Sequence, residues 1–223
     1  MVILGDLSAK YESNGDPASV SSGDGDLGGR SYGCYQFASA MGIPQAFVAW
    51  AKEQTELFGD YGAALTESGE VNSDEFVEKW RELGNVDPLG FAQLQHDYTK
   101  QVYYDAAVTT LKDNLAIDIN SRSEALQQVL WSRAVQYSAG NMLELFNDAC
   151  NSADQDIANI SDQDLIYNIY EVLIQDGKQA YEKDNGLWHS PDDWLNGSRD
   201  VIDGLINRFT NEREEALSML AGA

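Results

Sequence analysis

Apolar residues recur at three- and four-residue spacings over most of the chain, the pattern of helices that bury one face. Near the N-terminus Ile3, Leu4, Leu7 and Tyr11 share such a face. They predict a short helix over residues 1–13, closed by Asn14-Gly15 and followed by Pro17. The periodicity then stops. Residues 14–30 are rich in Gly, Ser and Asp and predict loop, and residues 31–37 are short, aromatic and extended in character. Helical signals return with Pro44, which suits the first turn of a helix running to about Phe58. Asn72 with Glu75 forms a capping-box pattern for a helix ending near Gly84. Asp87-Pro88 opens a long helix to about Leu115. Ser121 with Glu124 opens another that ends at Gly140, and a shorter one follows to Cys150. Ser161 with Asp164 starts a helix to about Lys183, residues 184–197 form a loop with two tryptophans, and the last helix runs from Ser198 to about Leu220. No period of 20–50 residues repeats and no low-complexity linker interrupts the chain. The expectation is one mainly α domain over residues 1–223, with any strand confined to residues 20–37.

The 223 residues are 43% hydrophobic and 10% aromatic, enough for a sizeable core. Charge narrows the partners. Lys and Arg number 14 against 37 Asp and Glu, a net charge of −23. Nucleic-acid binding needs clustered cations, and anionic lipid is disfavoured for the same reason. A neutral or cationic ligand fits better, although solubility or adaptation to salt explains the charge by itself. No apolar run approaches the roughly 20 residues of a membrane span. Met1-Val-Ile-Leu-Gly-Asp lacks a basic region and a long apolar stretch, so no secretory signal is expected. Export then needs another route, or the sequence is a piece of a longer chain. Cys34 and Cys150 show no CxxC or His-Cys spacing, so no metal site and no cofactor are expected, and both read as buried free thiols.

The chemistry concentrates in the first forty residues. Glu12 stands in Ser8-Ala-Lys-Tyr-Glu12-Ser-Asn-Gly15, at the end of the first predicted helix. Cleaving a glycosidic bond requires an acid that stays protonated near neutral pH. A helix C-terminus disfavours carboxylate, and aromatic surroundings push the same way, with Tyr11, Tyr32 and Tyr35 available as walls. Beyond the Gly-rich loop comes Ser31-Tyr-Gly33-Cys-Tyr-Gln36. Gly33 allows backbone to pass close to another chain or a ligand. Gln36 both donates and accepts, so it can bridge the acid and a sugar amide.

Glu12-Ser13-Asn14-Gly15 followed by Ser31-x-Gly33-x-x-Gln36 resembles the catalytic signature of lytic transglycosylases and goose-type lysozymes, nearest to muramidase domains of phage lysins, phage tails and secretion spikes. The specific match covers roughly residues 8–37. The resemblance implies a lysozyme-like helical fold with a small irregular or β-containing segment near residues 20–37. It implies a peptidoglycan substrate, Glu12 as the acid, and Ser31, Tyr32, Tyr35 and Gln36 along the groove. It also implies action on the bacterial cell wall, within a phage tail or secretion assembly. Ala134-Val-Gln136-Tyr137-Ser-Ala-Gly140-Asn resembles, in imperfect register, the sugar-facing segment of transglycosylases, which adds Gln136 and Tyr137 as substrate-binding candidates. The loop over residues 14–30 is longer than the usual transglycosylase loop and carries Asp24 and Asp26. A transglycosylase needs no second carboxylate, whereas an inverting hydrolase needs a base about 6.5–9.5 Å from the acid. Asp24 or Asp26 can serve, although an Asp-Gly pair also makes turns. An acidic Gly-rich loop after the catalytic Glu is similar to that of chitosanases, whose polycationic substrate suits the charge. A catalytically silent wall-binding module is the third reading.

Elsewhere structural roles are expected. His96 reads as a partly buried packing residue, and Tyr103, Tyr104, Trp131, Tyr167 and Tyr170 as core. The Trp188–Trp194 stretch reads as a staple for the last helix, and Arg208 with Glu212 and its neighbours as ordinary helix-surface pairing.

Overall fold

The computed structural model describes residues 4–9, 15–23, 29–54, 60–183 and 185–222. Glu12, Asp24 and Asp26 lie outside the described residues, as do the end expected for the helix after Pro44 and both ends of the helix expected over residues 1–13, of which α1 (Asp6–Ala9) is described. The chain divides into two compact units, residues 9–102 and residues 1–8 with 103–223.

In the first unit, β1 (Ser31–Tyr32) and β2 (Phe37–Ala38) form an antiparallel hairpin with Ser31 opposite Ala38. Val20 bridges to Tyr32 on the other side, so the chain before the hairpin adds a third, irregular strand. A 3₁₀ turn leads into α2 (Ile43–Ala51), with Pro44 in its first turn as expected. α3 (Tyr61–Glu67), α4 (Asp74–Val86) and α5 (Pro88–Thr99) complete the unit. Their apolar faces enclose an aromatic core of Tyr32, Phe37, Phe47, Phe76, Trp80, Phe91 and Tyr98. Rings meet edge to face, as in Tyr32–Trp80 at 5.1 Å and Trp80–Phe91 at 4.9 Å, the geometry that ring quadrupoles favour.

Two helix starts shift in register. Ser73, not Asn72, caps α4: its hydroxyl accepts from Phe76 N, while Asn72 sits at φ 78° and its amide oxygen accepts from the Tyr32 hydroxyl. Likewise Ser123, not Ser121, caps the helix that follows, because Ser121 is used in a 3₁₀ turn. α4 ends at Val86, near the Gly84 expected for it. Gly84 itself lies inside α4, where a Cβ would stand 2.5 Å from Ala18 Cα, so its bareness lets the chain after Gly15 lie directly on the helix.

A π-helical stretch, Lys100–Asp105, carries the chain between the units. In the second unit α6 (Ala106–Leu115), α7 (Glu124–Tyr137), α8 (Met142–Ala153), α9 (Asp162–Lys178) and α10 (Arg199–Ala221) pack around Trp131, Phe146, Tyr170 and Phe209. Asp87 and Ser161 cap α5 and α9, and the long helical run from Pro88 ends at Leu115, all as the sequence predicts.

The loop expected at 184–197 holds strand instead. β3 (Tyr181–Glu182), β4 (Trp188–His189) and β5 (Asn196–Gly197) make a small antiparallel sheet, so strand is not confined to residues 20–37. α9 accordingly stops at Lys178. Trp194 is buried and Trp188 stacks under Arg199 at 5.1 Å, the staple expected for the last helix.

Glu212 overturns the expectation of surface pairing. It is fully buried and accepts from Arg133 Nη2 (2.6 Å), Arg208 Nε (2.7 Å), Ser132 Oγ and the Tyr170 hydroxyl (3.0 Å each). Burial disfavours its carboxylate, but the two arginines outweigh burial and hold its pKa below the ordinary 4.5. Tyr167, in contrast to its core assignment, is exposed with Arg213 over its ring. Cys34 and Cys150 are buried free thiols. Among the described residues, no helix is long and apolar enough to cross a membrane and no group of His, Cys, Asp or Glu is arranged to hold a metal.

Candidate active site

The described part of the candidate site is the tight turn between β1 and β2 and the segment 15–23 beside it. Gly33 is at φ 69°, and a Cβ there would fall 2.0 Å from Gln95 Oε1. Only glycine fits, for conformational and steric reasons together. The space is needed because Gln95, fully buried on α5, reaches through it. Its Oε1 accepts from Cys34 N at 2.8 Å, and its Nε2 donates to Pro17 O at 3.1 Å. Trp80 Nε1 donates to the same carbonyl at 2.9 Å.

The segment after Glu12 is thus clamped to the turn at several points. Cys34 Sγ donates to Gly15 O (3.3 Å), Gly33 N donates to Ser19 O (2.8 Å), and Ser19 Oγ donates to Gly33 O (3.2 Å). Asp16 Oδ1 accepts from Ala18 N, closing an Asx turn that sets the direction of the chain. Ser31 pairs with Ser21 in both directions: Ser31 N donates to Ser21 Oγ at 2.8 Å, and Ser21 N donates to Ser31 O at 3.0 Å.

Gln36 is exposed at the end of the turn. It holds φ 51°, a left-handed conformation costly for a residue with a side chain. Its Nε2 donates to Gly33 O at 2.9 Å and to Ser19 Oγ at 3.4 Å. These bonds fix the amide, and among the described residues no donor reaches its Oε1. Tyr35 is half-buried; its hydroxyl meets His96 Nδ1 at 2.8 Å and its ring stacks near Phe37. His96 is therefore the packing residue the sequence suggests.

The remaining candidates part company with this cluster. Tyr32 is fully buried in the aromatic core and offers no surface to a sugar. Its strand neighbour Ser31 is half-buried, whereas Gly33 in the turn is buried against Gln95 and Trp80. Gln136 and Tyr137 lie on α7 in the other unit. The Tyr137 ring packs edge to face on Trp194 at 5.1 Å, and burial pushes its hydroxyl pKa up to about 12. That is the position of a core residue. Gln136 is half-buried with a buried side-chain oxygen. Gln95 is the residue that sequence reasoning missed. An amide at a core position of an otherwise apolar helix face, just before His96, was the available signal.

This arrangement sits on a helical architecture of the lysozyme and chitosanase kind. A solved structure described as a chitosanase complex aligns with a TM-score of 0.51 at 16% identity, covering 76% of this chain and 72% of that one. Identity that low speaks for the fold alone. The family follows from a second match. A model of the C-terminal region of VgrG3-like type VI secretion system spike proteins matches residues 4–213, and the chain belongs to that family. The type VI secretion system spike protein VgrG3 of Vibrio cholerae serotype O1 is 28% identical over 186 residues, which are 83% of this chain but 17% of that protein. The chain thus corresponds to a small part of that relative's length. Of the phage and secretion assemblies suggested by the motif, the match is to the secretion spike.

Proposed function

We propose that this chain is a glycosidase that cleaves the β-1,4 glycan of bacterial peptidoglycan, with Glu12 as the general acid. The observation that carries the reading is the clamp between the two halves of the motif. Gly15, three residues after Glu12 in sequence, is bonded to Cys34, and Ser19 is bonded to Gly33, within the turn that presents Gln36. A turn with no task has little reason to hold a strained, exposed Gln at its end.

In this reading Glu12 protonates the leaving oxygen as positive charge develops on the sugar ring. Gln36, its amide fixed by Gly33 O, offers an oriented oxygen to a sugar N–H or to the acid. Ser31 lines the approach. Asp24 or Asp26 activates the attacking water if the bond is hydrolysed; if the substrate's acetamido group attacks instead, neither is required. Membership of the spike family supports delivery by a secretion assembly and action on a cell wall, in the periplasm or outside the cell.

The test is loss of turbidity of purified cell walls, with mass analysis of the product ends and chitosan hydrolysis run beside it. A second reading, chitosan hydrolysis, is favoured by the net charge of −23, which attracts a polycation and repels anionic wall polymers. Cleavage of chitosan with walls untouched selects it. Cleavage of neither polymer overturns the enzymatic reading and leaves a silent binding module.

A further inference from the structure

The chain carries 37 acidic residues against 14 basic ones, so a cation without a carboxylate partner is the exception in it. Of its seven arginines, five are matched. Arg122, Arg133, Arg199, Arg208 and Arg213 each hold a carboxylate at 2.5–2.7 Å. Arg30 and Arg81 are the other two. Among the described residues no carboxylate pairs with either of them, and Arg81 commits one N–H, from Nη2 to Val20 O at 3.4 Å.

These two arginines share one groove. It is open, about 450 Å³ in volume, and lies within the unit of residues 9–102. Asp74, Glu78 and Arg81 line it from α4, Ser21 and Ser22 from the segment before the hairpin, and Arg30 from the residue that precedes β1. Burial raises the pKa of the Tyr32 hydroxyl and the charges of Arg30 and Arg81 both lower it, so the two guanidiniums act on one point. The groove adjoins the candidate site, because Ser21 in its wall is bonded to Ser31 in both directions.

One exposed arginine is ordinarily just solvated. Two in a single concave groove, in a chain whose other five are matched, are a pair of planar forks open to an oxyanion. Asp74 and Glu78 stand in the same groove and cancel its long-range field. Recognition there depends on contact with the guanidiniums rather than on bulk negative charge, so a single carboxylate seated on the forks gains more than a polyanion does. Ser21 Oγ accepts from Ser31 N and still has its own proton to donate, which suits a sugar hydroxyl.

We propose that this groove is a subsite for a carboxylate carried on a saccharide ligand. The expected sources are the free lactyl carboxylate of a muramic acid unit or the carboxylate of a peptide attached there, and both rest on the cell-wall reading above. Such a subsite sets the substrate apart from chitosan, which carries no carboxylate.

The test is calorimetric titration of the whole 223-residue chain at low salt with three disaccharides. The first is N-acetylglucosamine joined to N-acetylmuramic acid with its carboxylate free. The second carries an alanyl-isoglutamine dipeptide on the lactyl group, which moves the carboxylate to the peptide. The third is the neutral N,N′-diacetylchitobiose. At least one acidic disaccharide should bind about fivefold or more tighter than the neutral one, and which of them does so identifies the source. Arg30→Gln and Arg81→Gln should each reduce that preference about threefold or more while leaving binding of the neutral sugar unchanged. Lys79→Gln, an equal change in charge on the same helix but outside the groove, should leave the preference alone. Arg81 is exposed, so its variant should fold even if Arg30→Gln does not. Absence of any preference for an acidic disaccharide overturns the proposal, as does an Arg81→Gln effect no larger than that of Lys79→Gln. Wall cleavage without a carboxylate preference sinks this inference alone. A preference that is lost in Arg81→Gln, in a chain that cleaves neither polymer, sinks the enzymatic reading alone.

Discussion

Gln95→Ala should damage both fold and activity, although Gln95 belongs to no recognised motif. The wild-type amide is fully buried and makes two bonds, from Cys34 N at 2.8 Å and to Pro17 O at 3.1 Å. Each is worth about 1 kcal/mol net. Truncation also strips the buried Cys34 N–H of that acceptor, a further cost of about 1–3 kcal/mol. Pro17 O suffers less, since Trp80 Nε1 still donates to it at 2.9 Å. The expected loss is therefore about 3–5 kcal/mol, a large share of the roughly 5–15 kcal/mol that holds a typical domain together. Because both bonds tie the segment after Glu12 to the turn presenting Gln36, glycan cleavage should fall at least tenfold at a temperature where the variant is still folded. Misplacement by about 1 Å can cost a hundredfold in rate. Gln95→Met, which keeps the bulk and loses both bonds, should behave like Gln95→Ala if hydrogen bonding is the cause and like wild type if packing is. Urea unfolding and wall-cleavage rates are the measurements. Destabilisation below about 1 kcal/mol together with a rate within twofold of wild type would refute the clamp.

Four further outcomes are expected. Glu12→Gln should abolish glycan cleavage with little change in stability; retention of a tenth or more of the wild-type rate would remove it from the acid's role, since general-acid loss costs about a hundredfold or more. Gln36→Ala should lower turnover more than Glu215→Gln on the last helix does, and equal small effects would put Gln36 outside the site. If the enzyme hydrolyses, Asp24→Asn or Asp26→Asn should cut the rate by about 10²–10⁴-fold; near-wild-type rates in both, with 1,6-anhydro product ends, would instead identify a transglycosylase. Glu212→Gln should cost about 3–5 kcal/mol near neutral pH by leaving Arg133 buried without its counter-charge. Because the folded pKa of Glu212 lies below its ordinary 4.5, this contribution is present above about pH 4.5 and fades as pH falls through the folded value. A stability gap between variant and wild type that stays constant through acid would contradict it.

Helices were legible in the sequence where one face is apolar and a cap is unambiguous. Asp87-Pro88 and Ser161 leave only one way to start a helix, and both were placed correctly. Where two candidates stood within two residues, tertiary demand decided. Asn72 went to the Tyr32 hydroxyl, so Ser73 capped α4. Gly84 stands near a helix end, as glycine often does, but its use here is close approach to Ala18, which no local pattern announces. The sheet over 181–197 escaped because strands of two residues are too short to alternate. Glu212 looked solvated because it stands among charges; its burial follows from Arg133 and Tyr170, which are distant in sequence and invisible to a reading of one helix.

The candidate site divides along the same line. Sequence proposes the residues whose chemistry is carried by type and spacing: Glu12, Ser31, Gly33 and Gln36. It could not tell which aromatic beside them faces inward. Pairing of Tyr32 with Phe37 in the hairpin puts Tyr32 in the core, and the turn leaves Tyr35 half-buried against His96, an assignment that needs the register of the hairpin. Nor could it find Gln95, because a buried amide is informative only once its partners are known. Yet Gly33 and Gln95 explain each other: the missing Cβ makes the space, and the amide fills it with two bonds that hold chain on either side. A glycine in a catalytic-looking motif is usually credited to the ligand. Here it is needed already by the protein, so a larger residue at position 33 would disturb the clamp whether or not a sugar ever passes over it.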